Sequence, residues 1–94
     1  MGRKLIFRFE GEFKAKQGDM VSIFEWREVK TGLPYEAIKI KNLDSKKEFT
    51  SRTGGVEMLN PINGTVINGR IIGLKEKFNV KTQTPIFLFE IEIA

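Results

Sequence analysis

Lys4–Ala15, KLIFRFEGEFKA, decides how the rest of the chain is read. Leu5, Phe7, Phe9, Phe13 and Ala15 fall on one face, and Arg8, Glu10, Glu12 and Lys14 on the other; Ile6 alone breaks the pattern. Period-two alternation of this kind belongs to a strand with one buried face. Gly11 interrupts the buried row. A glycine inside a long strand marks a bend or bulge, the device by which a sheet curls into a barrel.

Further along, Gln17-Gly18-Asp19 reads as a turn and Met20–Lys30 as a second strand. Its alternation is imperfect: Val21, Ile23 and Val29 share one face while Met20, Phe24 and Trp26 share the other. Either both faces are covered, or a bulge near Glu25 changes the register. Thr31-Gly32-Leu33-Pro34 is a turn leading into a third strand, Tyr35–Lys41, so that Glu25–Lys41 forms a hairpin. In the third strand Glu36, Ile38 and Ile40 share a face, opposite Tyr35, Ala37, Lys39 and Lys41.

Glu48–Thr50 and Val56–Leu59 are short strands, the latter stopped by Asn60-Pro61. Val66–Leu74 is a strand, or a hairpin about Asn68-Gly69, a favoured tight-turn pair. Lys75–Pro85 reads as a loop, and Ile86–Ile93 as the last strand. No amphipathic helix is predicted, and Asp44–Gly54 would hold at most one helical turn. The expected fold is all-β: a single five- to six-stranded barrel over residues 1–94, OB-fold-like, with an SH3-like barrel as the alternative. Leu5, Phe7, Phe9, Ile38, Ile40, Phe89 and Ile91 are its predicted core.

The net charge of +4 and pI near 9.5 suit a polyanionic partner. There is no histidine and no cysteine, which excludes Ser-His-Asp and Cys-His nucleophile systems, thiolate chemistry and disulfides. No GxxxxGK[ST] or GxGxxG run is present, and most carboxylates sit beside Lys or Arg. A non-enzyme without cofactor or metal is the expectation. No apolar run approaches a membrane span, and MGRKLIFRFEGEF carries charges where a signal peptide needs apolar residues, so a cytoplasmic location is expected.

The hairpin supplies the candidate site. Trp26 and Tyr35, the chain's only Trp and Tyr, flank its turn, among Arg27, Lys30, Lys39 and Lys41. Aromatic faces interleaved with cations are what a single strand of DNA or RNA uses: bases stack on rings at about 1–3 kcal/mol each, and phosphates pair with cations. Arg52 in a glycine-rich run, and Lys75, Lys77 and Lys81 in the predicted loop, extend the set. Trp26 is expected to be accessible. An OB barrel binds on its second and third strands and in the loops after its first and fourth. In chain order these correspond to the hairpin and the Lys75–Lys81 loop. The rival readings are a protein-interaction module anchored on Trp26 and Tyr35 with Arg27 beside them, and a structural virion component.

Val56–Ile62, VEMLNPI, resembles the VELxNPI segment of small conserved proteins of integrative and conjugative elements of Gram-positive bacteria. The order of features is also similar: Leu5-Ile6-Phe7 early, a variable hairpin, Phe49 before the motif, and Phe87-Leu88-Phe89-Glu90-Ile91 at the end. The resemblance implies an OB-type fold and a helicase-processivity accessory acting with single-stranded DNA. A helicase or other replication protein is then an expected partner, and a phage replication protein of the same fold would look alike.

Overall fold

The computed structural model describes residues 2–29, 32–52 and 64–93. Lys30 and the VEMLNPI segment lie outside the described residues. Six strands form one sheet: β1 (Arg3–Glu10), β2 (Met20–Val29), β3 (Gly32–Asn42), β4 (Lys47–Thr50), β5 (Ile67–Asn79) and β6 (Thr84–Ile93). The neighbour order is β1-β6-β5-β2-β3-β4, and a parallel contact between β1 and β3, at Phe7↔Tyr35 and Arg8↔Glu36, closes the first five into a barrel. β4 is an extra strand on the part of β3 nearest Asn42. The fold is the expected all-β, OB-fold-like barrel.

The strand order carries information that chain order does not. An OB barrel runs first-second-third-fifth-fourth around its ring, and its one parallel contact joins the third and fifth strands. Here the parallel contact joins β1 and β3, and the two adjacent hairpins are β2–β3 and β5–β6. β5, β6, β1, β2 and β3 therefore occupy the ring positions of OB strands one to five: the order is circularly permuted. The loops after OB strands one and four correspond to the β5–β6 and β2–β3 connections, whereas chain order equates the Lys75–Lys81 region with the loop after strand four. The face of OB strands two and three becomes β6 and β1, which corrects the chain-order assignment to the Glu25–Lys41 hairpin.

The core is aromatic. Phe7, Phe9, Val21, Ile23, Ile40, Ile71, Phe89 and Ile91 are buried inside the barrel, with Leu5 partly buried against them. Burying each such side chain is worth about 1.5–3 kcal/mol. β1 ends at Glu10, earlier than expected, because Gly11 turns away with φ 131° and donates its N–H to Pro85 O at 2.9 Å. Phe13 then re-enters the core from a connecting segment and meets Phe9, Phe49, Phe87 and Phe89 at centroid distances of 5.3–5.5 Å.

Gly69 belongs to a strand and not to a turn. A Cβ there would lie 2.9 Å from Glu92 O and 3.0 Å from Ile91 Cδ1, so the glycine permits β5 and β6 to pack closely. The segment expected as a strand or short hairpin is one long strand, and it continues through Lys75 and Lys77 to Asn79. Among the described residues, no helix is long and apolar enough to cross a membrane.

Candidate functional site

Two bulges dismantle the aromatic and cationic face expected on the hairpin. The β2–β3 register steps from Ile23↔Ile40 to Glu25↔Lys39 to Trp26↔Ala37, so Phe24 on β2 and Ile38 on β3 are each an extra residue. The register change expected near Glu25 is present. Its effect is to turn Trp26, Tyr35 and Ala37 toward the barrel interior and leave Lys39 outside.

Trp26 is 8% exposed and so is a core residue, contrary to expectation. Its ring meets Phe7 at 6.3 Å and Tyr35 at 5.4 Å, both edge-to-face, and its Nε1–H donates to Thr65 O at 2.7 Å. Tyr35, half-buried, also packs on Phe7 at 5.7 Å. Neither ring is an open platform for a base. Arg27 is 6% exposed and gives a fork of bonds to Glu36, Nε to Oε2 at 3.1 Å and Nη2 to Oε1 at 3.2 Å. A guanidinium held in this way is committed to its carboxylate. Lys39 pairs with Glu25 at 3.2 Å, Lys41 is half-buried, and Arg52 is exposed.

Lys75, Lys77 and Lys81 stand differently. The β5–β6 hairpin runs past the mouth of the barrel, and all three lysines are exposed on it. Phe78 has the inward parity of Phe87 but lies beyond the core, 57% exposed, with Val80 at 75%. Lys75 and Lys77 are strand residues whose partners are Leu88 and Ile86. The pairings β1–β6 and β6–β5 set the outer face in four rungs: Lys4–Glu92–Arg70, Ile6–Glu90–Gly73, Arg8–Leu88–Lys75 and Glu10–Ile86–Lys77. The middle strand, β6, carries Glu92 and Glu90 and then apolar Leu88 and Ile86; β1 adds Lys4, Ile6, Arg8 and Glu10 on one flank, and β5 adds Arg70, Lys75 and Lys77 on the other. A groove of about 380 Å³ opens at this centre, lined by Ile6, Leu88, Gly73, Lys75 and Glu90, with Pro34 of β3 also on its wall.

Sequence reasoning passed over Ile6, Leu88, Gly73, Phe78 and Glu90. The signal was present for Ile6, the one apolar residue on the polar face of β1, which is 38% exposed.

Glu10 fastens the hairpin to β1. Its Oε2 accepts from Thr84 Oγ1 at 2.9 Å and Thr82 Oγ1 at 3.2 Å, and its Oε1 from Arg8 Nη2 at 2.9 Å. Burial alone would raise its pKa, but the hydrogen bonds from Thr84, Arg8 and Thr82 and the charge of Arg8 together hold it below the ordinary 4.5. A carboxyl with a lowered folded pKa stabilises the fold fully above its unfolded pKa, and that contribution disappears as pH falls through the folded value. Glu10→Gln should therefore cost about 1–2 kcal/mol at pH 7. In urea titrations the difference from wild type should close as pH is taken down below 4.5. A pH-independent difference would remove the charge from this account.

Among the described residues, no three His, Cys, Asp or Glu side chains converge on a metal-sized site. No protein-family model, curated protein or solved structure matches this chain.

Proposed function

We propose that the protein binds single-stranded nucleic acid across the outer face of β6, β1 and β5, with the β5–β6 hairpin as its cationic arm. The observation that carries this reading is the rung pattern: apolar Leu88 and Ile86 on the middle strand, with Ile6 beside them on β1 and the exposed Lys75 and Lys77 directly across on β5. Bases unstacked from a single strand need apolar surface, and their phosphates need cations at its margins. Phe78, exposed between Lys77 and Lys81, adds a ring on which a base can stack. The ring positions of β6 and β1 are those through which OB barrels take oligonucleotides, which supports the reading by analogy.

The accessory role in DNA replication of a mobile element or phage belongs to the same proposal, and the VEMLNPI resemblance supports it. The rival protein-interaction reading needed Trp26 and Tyr35 as anchors, and both rings pack inward. The nucleic-acid reading keeps its lysines without them.

The test is a salt titration of oligonucleotide affinity. With three to five phosphate contacts, the log–log slope for a single strand should be about −2 to −3.5. A slope near zero, or equal affinity for an uncharged peptide nucleic acid of the same sequence, overturns the reading.

A further inference from the structure

We infer that the groove beside Glu90 is a base-selecting pocket that prefers bases carrying an exocyclic amino group, cytosine in particular, over thymine. The inference rests on the single-strand reading above and assigns it a specificity. Glu90 and Lys75 both line the groove, with the apolar side chains of Ile6, Leu88 and Pro34 around them. The two polar groups differ in what they recognise. The Lys75 ammonium is a donor that suits a phosphate; the Glu90 carboxylate, when ionised, only accepts.

The Glu90 carboxylate has no hydrogen bond or ion pair among the described residues, whereas Glu10, Glu25 and Glu36 are each paired. Its neighbours in the rung are Ile6 and Gly73, which offer it no side-chain donor. Gly73 also leaves the floor open, since a Cβ there would touch nothing nearer than Glu90 Cβ at 4.0 Å. A negative charge in a groove built for a polyanion is unfavourable unless the ligand brings it a donor. The amino groups of cytosine, adenine and guanine are such donors, while thymine presents the carbonyl O4 where cytosine has N4. A base seated between Ile6 and Leu88 with its amino edge toward Glu90 leaves its backbone free to run toward Lys75.

The experiment compares oligo-dC and oligo-dT of equal length at pH 7.5, in wild type, Glu90→Gln and Gly73→Val. Wild type should bind oligo-dC about tenfold more tightly. Glutamine both donates and accepts, so Glu90→Gln should raise oligo-dT affinity and bring the ratio close to one; the general gain from removing a negative charge cancels in the ratio. Gly73→Val, at a position with room for a side chain, should fill the groove and erase the preference while keeping the salt slope. Equal binding of the two oligonucleotides by wild type overturns the pocket and leaves the single-strand reading standing, as does a preference that survives in Glu90→Gln. Binding of neither oligonucleotide overturns the parent reading and the pocket with it.

Discussion

Trp26→Ala should destabilise the protein by about 3–5 kcal/mol, a large share of the 5–15 kcal/mol that holds a typical domain folded. The indole is buried at the point where β2 faces β1 and β3, and its edge-to-face contacts with Phe7 and Tyr35 tie three strands of the barrel together. Removing it opens a cavity among aromatic rings that cannot collapse freely, and it takes away the Nε1–H bond to Thr65 O. Urea unfolding followed by circular dichroism measures the loss. The same burial predicts that saturating oligo-dT leaves the emission of wild-type Trp26 essentially unchanged. A stability loss under about 1 kcal/mol together with quenching by the oligonucleotide would return Trp26 to the surface and to the binding site.

Replacing Lys75, Lys77 and Lys81 together by glutamine should weaken oligonucleotide binding about a hundredfold at 0.1 M salt and make the log–log slope shallower by about 2. Each single-strand phosphate contact contributes about 0.7 to the slope, and three contacts removed give both numbers. All three side chains are exposed, so stability should move by no more than about 0.5 kcal/mol. Lys39→Gln is the natural control, because Lys39 is already engaged by Glu25. If it matches the triple variant in its effect on the slope, the binding face lies on β2–β3 after all.

The contrast between Trp26 and Lys75 shows how far residue patterns reach. Alternation in β1 and β6, broken in β1 only at Ile6, identifies Phe7, Phe9, Phe89 and Ile91 as core, because regular strands translate sequence parity directly into inside and outside. The hairpin failed for the same reason in reverse. Phe24 and Ile38 each insert one residue, and every side chain beyond them changes face, so Tyr35 and Lys39 share sequence parity but not a surface. Where a bulge falls is set by cross-strand packing, which no single strand contains. Lys75 and Lys77 read as loop residues in isolation; pairing with Leu88 and Ile86 makes them strand residues. Asn68-Gly69 leaves strand and hairpin open by composition; the structure makes it strand, with the glycine required by the nearness of Glu92 O.

The antiparallel pairing of β1 with β6 also governs how the chain reaches this structure. It joins Arg3 to Ile93 and runs without a break to Glu10↔Ile86, so β1 is completed on this edge by a strand that follows it by more than 70 residues. Until Thr84–Ile93 has emerged, LIFRF has no partner on that edge, and an apolar strand with open backbone groups waits during translation. Loop closure over the long stretch between β1 and β6 must precede the gain from this contact, which puts the barrel among slow-folding, non-local β topologies. The charges interleaved in β1, Lys4, Arg8 and Glu10, then have a second use: they keep a nascent strand soluble before it has anything to pair with.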